Sequence, residues 1–166
     1  MTEYTLSYLW FKGFGEPIRL LFHYKGVPFK DVRLEHMLGK DEFEQAHVDS
    51  VAQLYLDYII GARPFLRAFV GYNQDDQETL KKQHLLPTIA FFMPLFNRIV
   101  ERSTSGFIAN SGITYVDFFV VEMVQSLFVL APEAVSSFAA LRKYADRIYA
   151  LPQLAKYLKE RPQKTF

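Results

Sequence analysis

The chain has 166 residues, 50% of them hydrophobic and 22% charged, with a formal net charge of +1. That is enough apolar material for a sizeable core and too much for a disordered chain, and the balanced charge leaves no basic footprint for nucleic acid or anionic lipid, so neither is expected as a partner. With no cysteine, disulfides, thiolate metal sites and a cysteine nucleophile are excluded, so any thiol chemistry must belong to a ligand.

Met1–Phe11 lacks the basic segment, long apolar core and small-residue cleavage site of a secretory signal, which makes the cytoplasm the expected location. Within Thr2–Phe11, Tyr4, Leu6, Tyr8 and Trp10 fall on one face and Thr5, Ser7 and Leu9 on the other. Period two predicts a strand. Lys12–Gly15 reads as a turn, and Pro17 stands where a first helical residue belongs, with Glu16 favourable near the positive helix end. The helix carries Ile18, Leu21, Phe22 and Tyr24 and ends at Gly26 and Pro28. Phe29–Glu35 alternates again, which completes a βαβ unit with parallel strands and a right-handed crossover.

After Glu35 only helical spacing is found. Val48, Val51, Ala52, Tyr55, Ile59 and Ala62 mark one long helix that runs past Pro64 with a kink through Phe65 and Phe69. Gly71–Asp76 is a turn, and Asp75 or Asp76 caps a helix carrying Leu80, Leu86, Ile89, Phe92 and Ile99, which Pro87 and Pro94 should bend or shorten. Ser103–Gly112 is a loop. Asn110–Leu130 then reads as the central helix: Thr114 and Asp117 have the spacing of a capping box, and the body is apolar nearly all round, as in a helix surrounded by others. Asp117, Glu122 and Gln125 interrupt the run, so a membrane span is not expected. Phe138, Leu141, Tyr144, Ala145 and Ile148 mark a further amphipathic helix, and Pro152 opens a last one reaching Arg161. The expected organisation is a small unit, 1–38, followed by a helical domain, 39–166.

Few side chains suggest chemistry by themselves. Tyr8 alone is an ordinary strand aromatic. Gly13-Phe14-Gly15 before a helix is a weak phosphate-loop signal, since Ile18 stands at the third glycine and no Walker lysine follows. His23, His36, His47 and His84 lack metal-ligand spacing, so no metal site is expected. Ser103-Thr104-Ser105 has no nucleophile-elbow context.

The order of several motifs carries more. Tyr4-Thr5-Leu6-Ser7-Tyr8, Gly15-Glu16-Pro17-Ile18-Arg19, the helix over Lys40–Asp57, Thr114-Tyr115-Val116-Asp117 and the closing run from Leu151-Pro152 to Arg161-Pro162 and Thr165-Phe166 resemble a cytosolic glutathione S-transferase, in particular the sigma class of nematodes. The resemblance covers nearly all of the chain. It implies an α+β, mostly α fold, a truncated thioredoxin-like βαβ unit followed by an all-α glutathione-transferase C-terminal helical domain. It further implies a homodimer, glutathione as co-substrate, and a small hydrophobic electrophile or prostanoid as the second substrate.

Tyr8 matches the family's catalytic tyrosine, whose hydroxyl hydrogen-bonds the glutathione sulfur. A thiol near pKa 8.5 is only a few per cent thiolate at pH 7. Lowering it by about two units takes ~2.7 kcal/mol, and one hydrogen bond to a charged acceptor supplies roughly 1.5–3. Lys12 stands where the family often has Arg, Asp57 matches an acidic residue that in sigma members reaches glutathione on the partner subunit, and Phe14 replaces a ligand-contacting Arg. The resemblance implies Tyr8, Lys12 and Asp57 as glutathione-binding positions, and an apolar cleft between Tyr8, Phe14 and the aromatics of the helical half.

The main departure lies at Glu35–Gly39. The family has roughly forty residues between the second strand and the fourth helix, room for two strands and a helix; here only four residues separate Glu35 from Lys40. The Trp and Lys that grip the glycine carboxylate, the cis-Pro loop and the Gln-Ser pair that holds the γ-glutamyl group are missing with that segment. Charge-assisted contacts worth about 1.5–3 kcal/mol each sum over three or more to ~5–9. A micromolar-to-millimolar ligand has only about 4–8 kcal/mol to lose. Weak or absent glutathione binding is therefore expected.

Overall fold

The computed structural model describes residues 3–9, 15–34 and 37–161. Strand β1 (Tyr4–Leu9) pairs in parallel with β2 (Phe29–Leu34), Tyr4 opposite Phe29 and Tyr8 opposite Arg33, and helix α1 (Gly15–Tyr24) makes the crossover. Among the described residues the sheet has these two strands alone. The unit is stitched locally: Phe22 of α1 lies 5.5 Å from the Tyr4 ring and stacks on Phe29 at 4.7 Å. Only Gly15 and Arg19 of α1 are buried, while Leu20, Leu21 and Tyr24 remain exposed. Two parallel strands and one half-covered helix are marginal as an independent structure.

The core lies in the helices that follow, from Val48 to Ile148, and among the described residues no member comes from the βαβ unit. Helix α2 (Glu42–Phe69) is a single element of 28 residues that passes through Pro64, as the periodicity predicts. Its start depends on a cap that the periodicity does not reveal: the Asp41 carboxylate accepts from the Glu44 amide at 2.9 Å, filling one of the four donors a helix start leaves open. Val48, Val51, Tyr58, Ala62, Phe65 and Ala68 form its buried stripe. Gly61 lets α2 and its neighbour approach closely, since a Cβ there would stand 2.8 Å from Thr88 Oγ1.

Asp76 is the cap of α3 (Gln77–Leu80), accepting from the Thr79 amide at 2.7 Å. The chain then widens into one π-helical stretch, Lys81–Leu85, before α4 (Leu86–Arg102). The expected effect of Pro87 takes this form: the Leu86 amide bonds back to the Lys81 carbonyl, five residues away, which makes room for a ring that would collide with the carbonyl four residues back. Pro94 stays inside α4 without ending it.

Helix α5 spans Tyr115–Leu130, so the central helix begins later than Asn110. Thr114 and Asp117 form the expected capping box, the Asp117 carboxylate accepting from the Thr114 amide at 2.7 Å. The same carboxylate accepts from the Ile108 amide at 2.9 Å and the Tyr144 hydroxyl at 3.0 Å, joining the preceding loop, α5 and the later helix that carries Tyr144 at one buried point. Burial pushes the Asp117 carboxyl above its ordinary value against the pull of these donors. The all-round burial expected of α5 is corrected on one side, where Phe119 is 48% and Val129 66% exposed; its other neighbours cover only part of the cylinder. A short α6 (Pro132–Val135), which the periodicity does not mark, leads to α7 (Ala139–Tyr149) and α8 (Pro152–Glu160). Among the described residues no helix is long and apolar enough to cross a membrane.

Candidate functional site

Tyr8 sits near the end of β1, on the face it shares with Tyr4 and Leu6 by strand alternation. The first residue of α1 is Gly15 because the Tyr8 ring lies against it: a Cβ added there would overlap ring atoms. Beneath the ring is a buried cation. The Arg19 guanidinium lies 5.9 Å from the Tyr8 centroid, within the range in which a ring face attracts positive charge. Arg19 is only 3% exposed, and its Nε donates to both Asp31 oxygens at 3.1 Å while Nη1 donates to Glu16 at 3.2 Å. Burial works against the Arg19 charge, and the Asp31 and Glu16 bonds outweigh it and raise the guanidinium further. Burial likewise works to raise Asp31, and the bonds from Arg19 and Arg33 overcome that and hold its carboxyl below the usual value. The function of this charge pair is to tie α1 to β2 under Tyr8.

Opposite lies the start of α5. The Tyr115 amide donates to the Met37 carbonyl at 3.0 Å, and its hydroxyl donates to Asp49 Oδ1 on α2 at 2.9 Å. The Tyr115 phenol is pushed up by burial first, then by the Asp49 bond and charge, and Tyr8 adds to the same effect. Phe119 meets Tyr115 edge-on at 5.9 Å and stacks on Tyr55 at 5.6 Å, so an aromatic wall stands on the helical side. Tyr115 and Asp49 were not picked out from the sequence. The first occupies the opening position of a capped helix, and the second lies 66 residues away on another element, so no local pattern links them.

Asp57 lies two turns beyond Asp49 on α2, exposed, where it accepts from Gln53 at 2.9 Å and, among the described residues, not from any group of the βαβ unit. Lys12 and Phe14 fall outside the described residues. The expected apolar cleft between Tyr8, Phe14 and the aromatics of the helical half includes a position outside the described residues. A cavity of about 510 Å³ opens between the start of α2 and the end of α4, lined by Lys40, Phe43, His47, Arg98 and Arg102 among others. Among the described residues no cluster of three or more His, Asp or Glu side chains is arranged to hold a metal ion.

What the Tyr8 region offers chemically is one phenol whose ring lies against a cation already bonded to two carboxylates. A phenol in such a place can donate to a soft anionic acceptor such as a thiolate.

The comparisons with known proteins agree with the architecture. The family profile described as the glutathione S-transferase C-terminal domain matches residues 62–161. The chain is 25% identical to glutathione S-transferase 1 of Ascaris suum over 206 aligned positions covering all of both chains. Among solved structures it is similar to NaGST-2, with a TM-score of 0.74, 29% identity and full coverage of both chains. It is also similar to monomeric Na-GST-3 from the hookworm Necator americanus, with a TM-score of 0.74, 25% identity, and 99% of this chain and 100% of that one covered. The profile takes in more than half of the chain, and with it this protein belongs to the glutathione S-transferase family.

Proposed function

We propose that this chain is a sigma-class-like glutathione transferase by descent in which Tyr8 still faces the sulfur position but glutathione is held weakly, so that conjugation to small hydrophobic electrophiles is slow. The observation that carries the reading is the sheet, which within the described residues has only β1 and β2. The alignment to the Ascaris suum protein supports it: 206 positions span a chain of 166 residues, a difference of 40. On this reading residues 1–38 are the remnant of a thioredoxin-like domain and residues 39–166 the helical domain. Tyr8 donates to the glutathione thiolate, Lys12 stands near the peptide, and Asp57 faces a ligand held by a partner subunit. The exposed apolar side chains Leu56 and Ile60 on α2 and Phe119 on α5 support association into a homodimer, and the absence of cysteine supports a cytoplasmic setting.

Calorimetric titration of the purified chain with glutathione tests the reading, together with conjugation of a chromogenic aryl halide by the wild type and Tyr8→Phe. Uptake weaker than about 1 mM, which corresponds to only ~4 kcal/mol of binding free energy, and a residual rate that Tyr8→Phe abolishes are expected. Tight stoichiometric uptake would overturn the loss of grip. Equal rates for the two proteins would remove Tyr8 from the chemistry and leave a binding protein with no catalytic role.

A further inference from the structure

The groove between α2 and α4 shares no lining residue with the Tyr8 region, and its charges are unevenly satisfied. Its two acids are committed to backbone amides. Glu44 accepts from the Lys40 amide at 2.7 Å and the Ser111 amide at 2.9 Å, and Asp41 caps α2 through the Glu44 amide at 2.9 Å. The Lys40 ammonium acts on the Glu44 carboxylate only through space. Arg98 and Arg102 stand one turn apart on α4, both exposed, and neither makes a hydrogen bond or ion pair among the described residues. Like charges at this spacing repel, and among the described residues no carboxylate is ion-paired with either: Asp41 and Glu44 line the same groove but are bonded to backbone amides, and the neighbouring Glu101 is turned to Asn97 at 2.8 Å. His47 adds a further donor on the opposite wall.

The groove is also apolar on one side. Phe43 is 90% exposed at its rim, and Ile99 and the buried Ile108 lie along its floor. A flat ring left this open to water, next to guanidinium forks with no partner, matches an anion that carries an apolar body. We propose that this groove binds small aromatic phosphate monoesters, the Arg98 and Arg102 guanidiniums and Lys40 taking the phosphate and Phe43 covering the ring. Guanidinium matches phosphate geometry through paired N–H donors, and a dianionic head suits a pair of cations better than a single carboxylate does.

The test titrates the full chain with phenyl phosphate, inorganic phosphate and benzyl alcohol at low salt, followed by calorimetry or amide chemical shifts. Phenyl phosphate is expected to bind saturably and to weaken as salt is raised. Arg98→Gln with Arg102→Gln should weaken it at least 10-fold, and Phe43→Ser should weaken phenyl phosphate while leaving inorganic phosphate unchanged. Circular dichroism should report the same fold for all three proteins, because these side chains are exposed. The proposal is overturned if the wild type shows no saturable binding of phenyl phosphate, if the double variant binds it equally well, or if benzyl alcohol binds as tightly as phenyl phosphate.

Discussion

Asp117→Ala is the substitution whose cost can be worked most directly from the structure. Asp117 is fully buried and accepts from the Ile108 amide, the Thr114 amide, the Thr114 hydroxyl and the Tyr144 hydroxyl at 2.7–3.0 Å. Alanine removes the carboxylate from two amides, the Thr114 hydroxyl and the Tyr144 phenol, all buried. Each orphaned donor costs about 1–3 kcal/mol, and loss of the cap alone about 1. The same change relieves the burial of a charge, which burial already holds above its ordinary pKa, so the sum is not fully realised. A net loss of ~3–5 kcal/mol follows, the range for breaking a buried charged network, a large share of the stability of a domain this size. Tyr144→Phe removes one donor and should cost ~1 kcal/mol. In a double-mutant cycle read by urea unfolding, the two changes should be non-additive, since without the Asp117 carboxylate the Tyr144 hydroxyl keeps only the backbone carbonyl of residue 117, at 3.1 Å, as acceptor. A loss below ~1 kcal/mol for Asp117→Ala would refute the reasoning and show that water or backbone shifts replace the carboxylate.

Three further outcomes follow from the packing. Gly61→Ala places a methyl 2.8 Å from Thr88 Oγ1 and should destabilise by ~1–3 kcal/mol, with Thr88→Ala restoring most of it in a thermal melt; no rescue would mean that the close approach is not the cause. Glu44 has a folded pKa below its ordinary 4.5, because bonds from Ser111 and Lys40 overcome the effect of burial. Its contribution is therefore complete above pH 4.5 and lost as pH falls through the lowered folded value. Glu44→Gln should flatten the acid limb of the stability curve without changing its shape near neutrality, and an unchanged limb would remove Glu44 from acid unfolding. Arg19→Met leaves Asp31 with Arg33 alone and should raise hydrogen exchange in β1 and β2 while the α2 and α5 amides stay protected. Uniform loss of protection would show that the βαβ unit and the helical core unfold together.

The parts of this fold legible in the sequence are those whose hydrogen bonds close within a few residues. Alternation in Tyr4–Leu9 and Phe29–Leu34, the caps at Asp76 and Thr114, the Asp117 partner three residues on, and Pro152 at a helix start all act locally. Such signals depend on residue type and spacing alone. The family resemblance likewise rests on ordered local motifs. What the sequence does not disclose is pairing across distance. Arg19 with Asp31, Tyr115 with Asp49 and Glu44 with Ser111 join residues 12, 66 and 67 apart, and each is one of many possible partners by type. The π stretch before Pro87 shows the same limit at shorter range, since proline announces a disturbance but not whether the helix breaks, bends or widens.

The amino-acid order alone determined the succession of elements, a short βαβ unit and then helices around an apolar stripe at Val116–Leu127, because burial periodicity and capping are written residue by residue. Tertiary packing alone decided which charges are neutralised, which aromatic faces stay wet and where the groove opens. Those outcomes depend on how helices far apart in the chain come to rest against one another, and the Arg98 and Arg102 guanidiniums stand open for that reason while Arg19 does not.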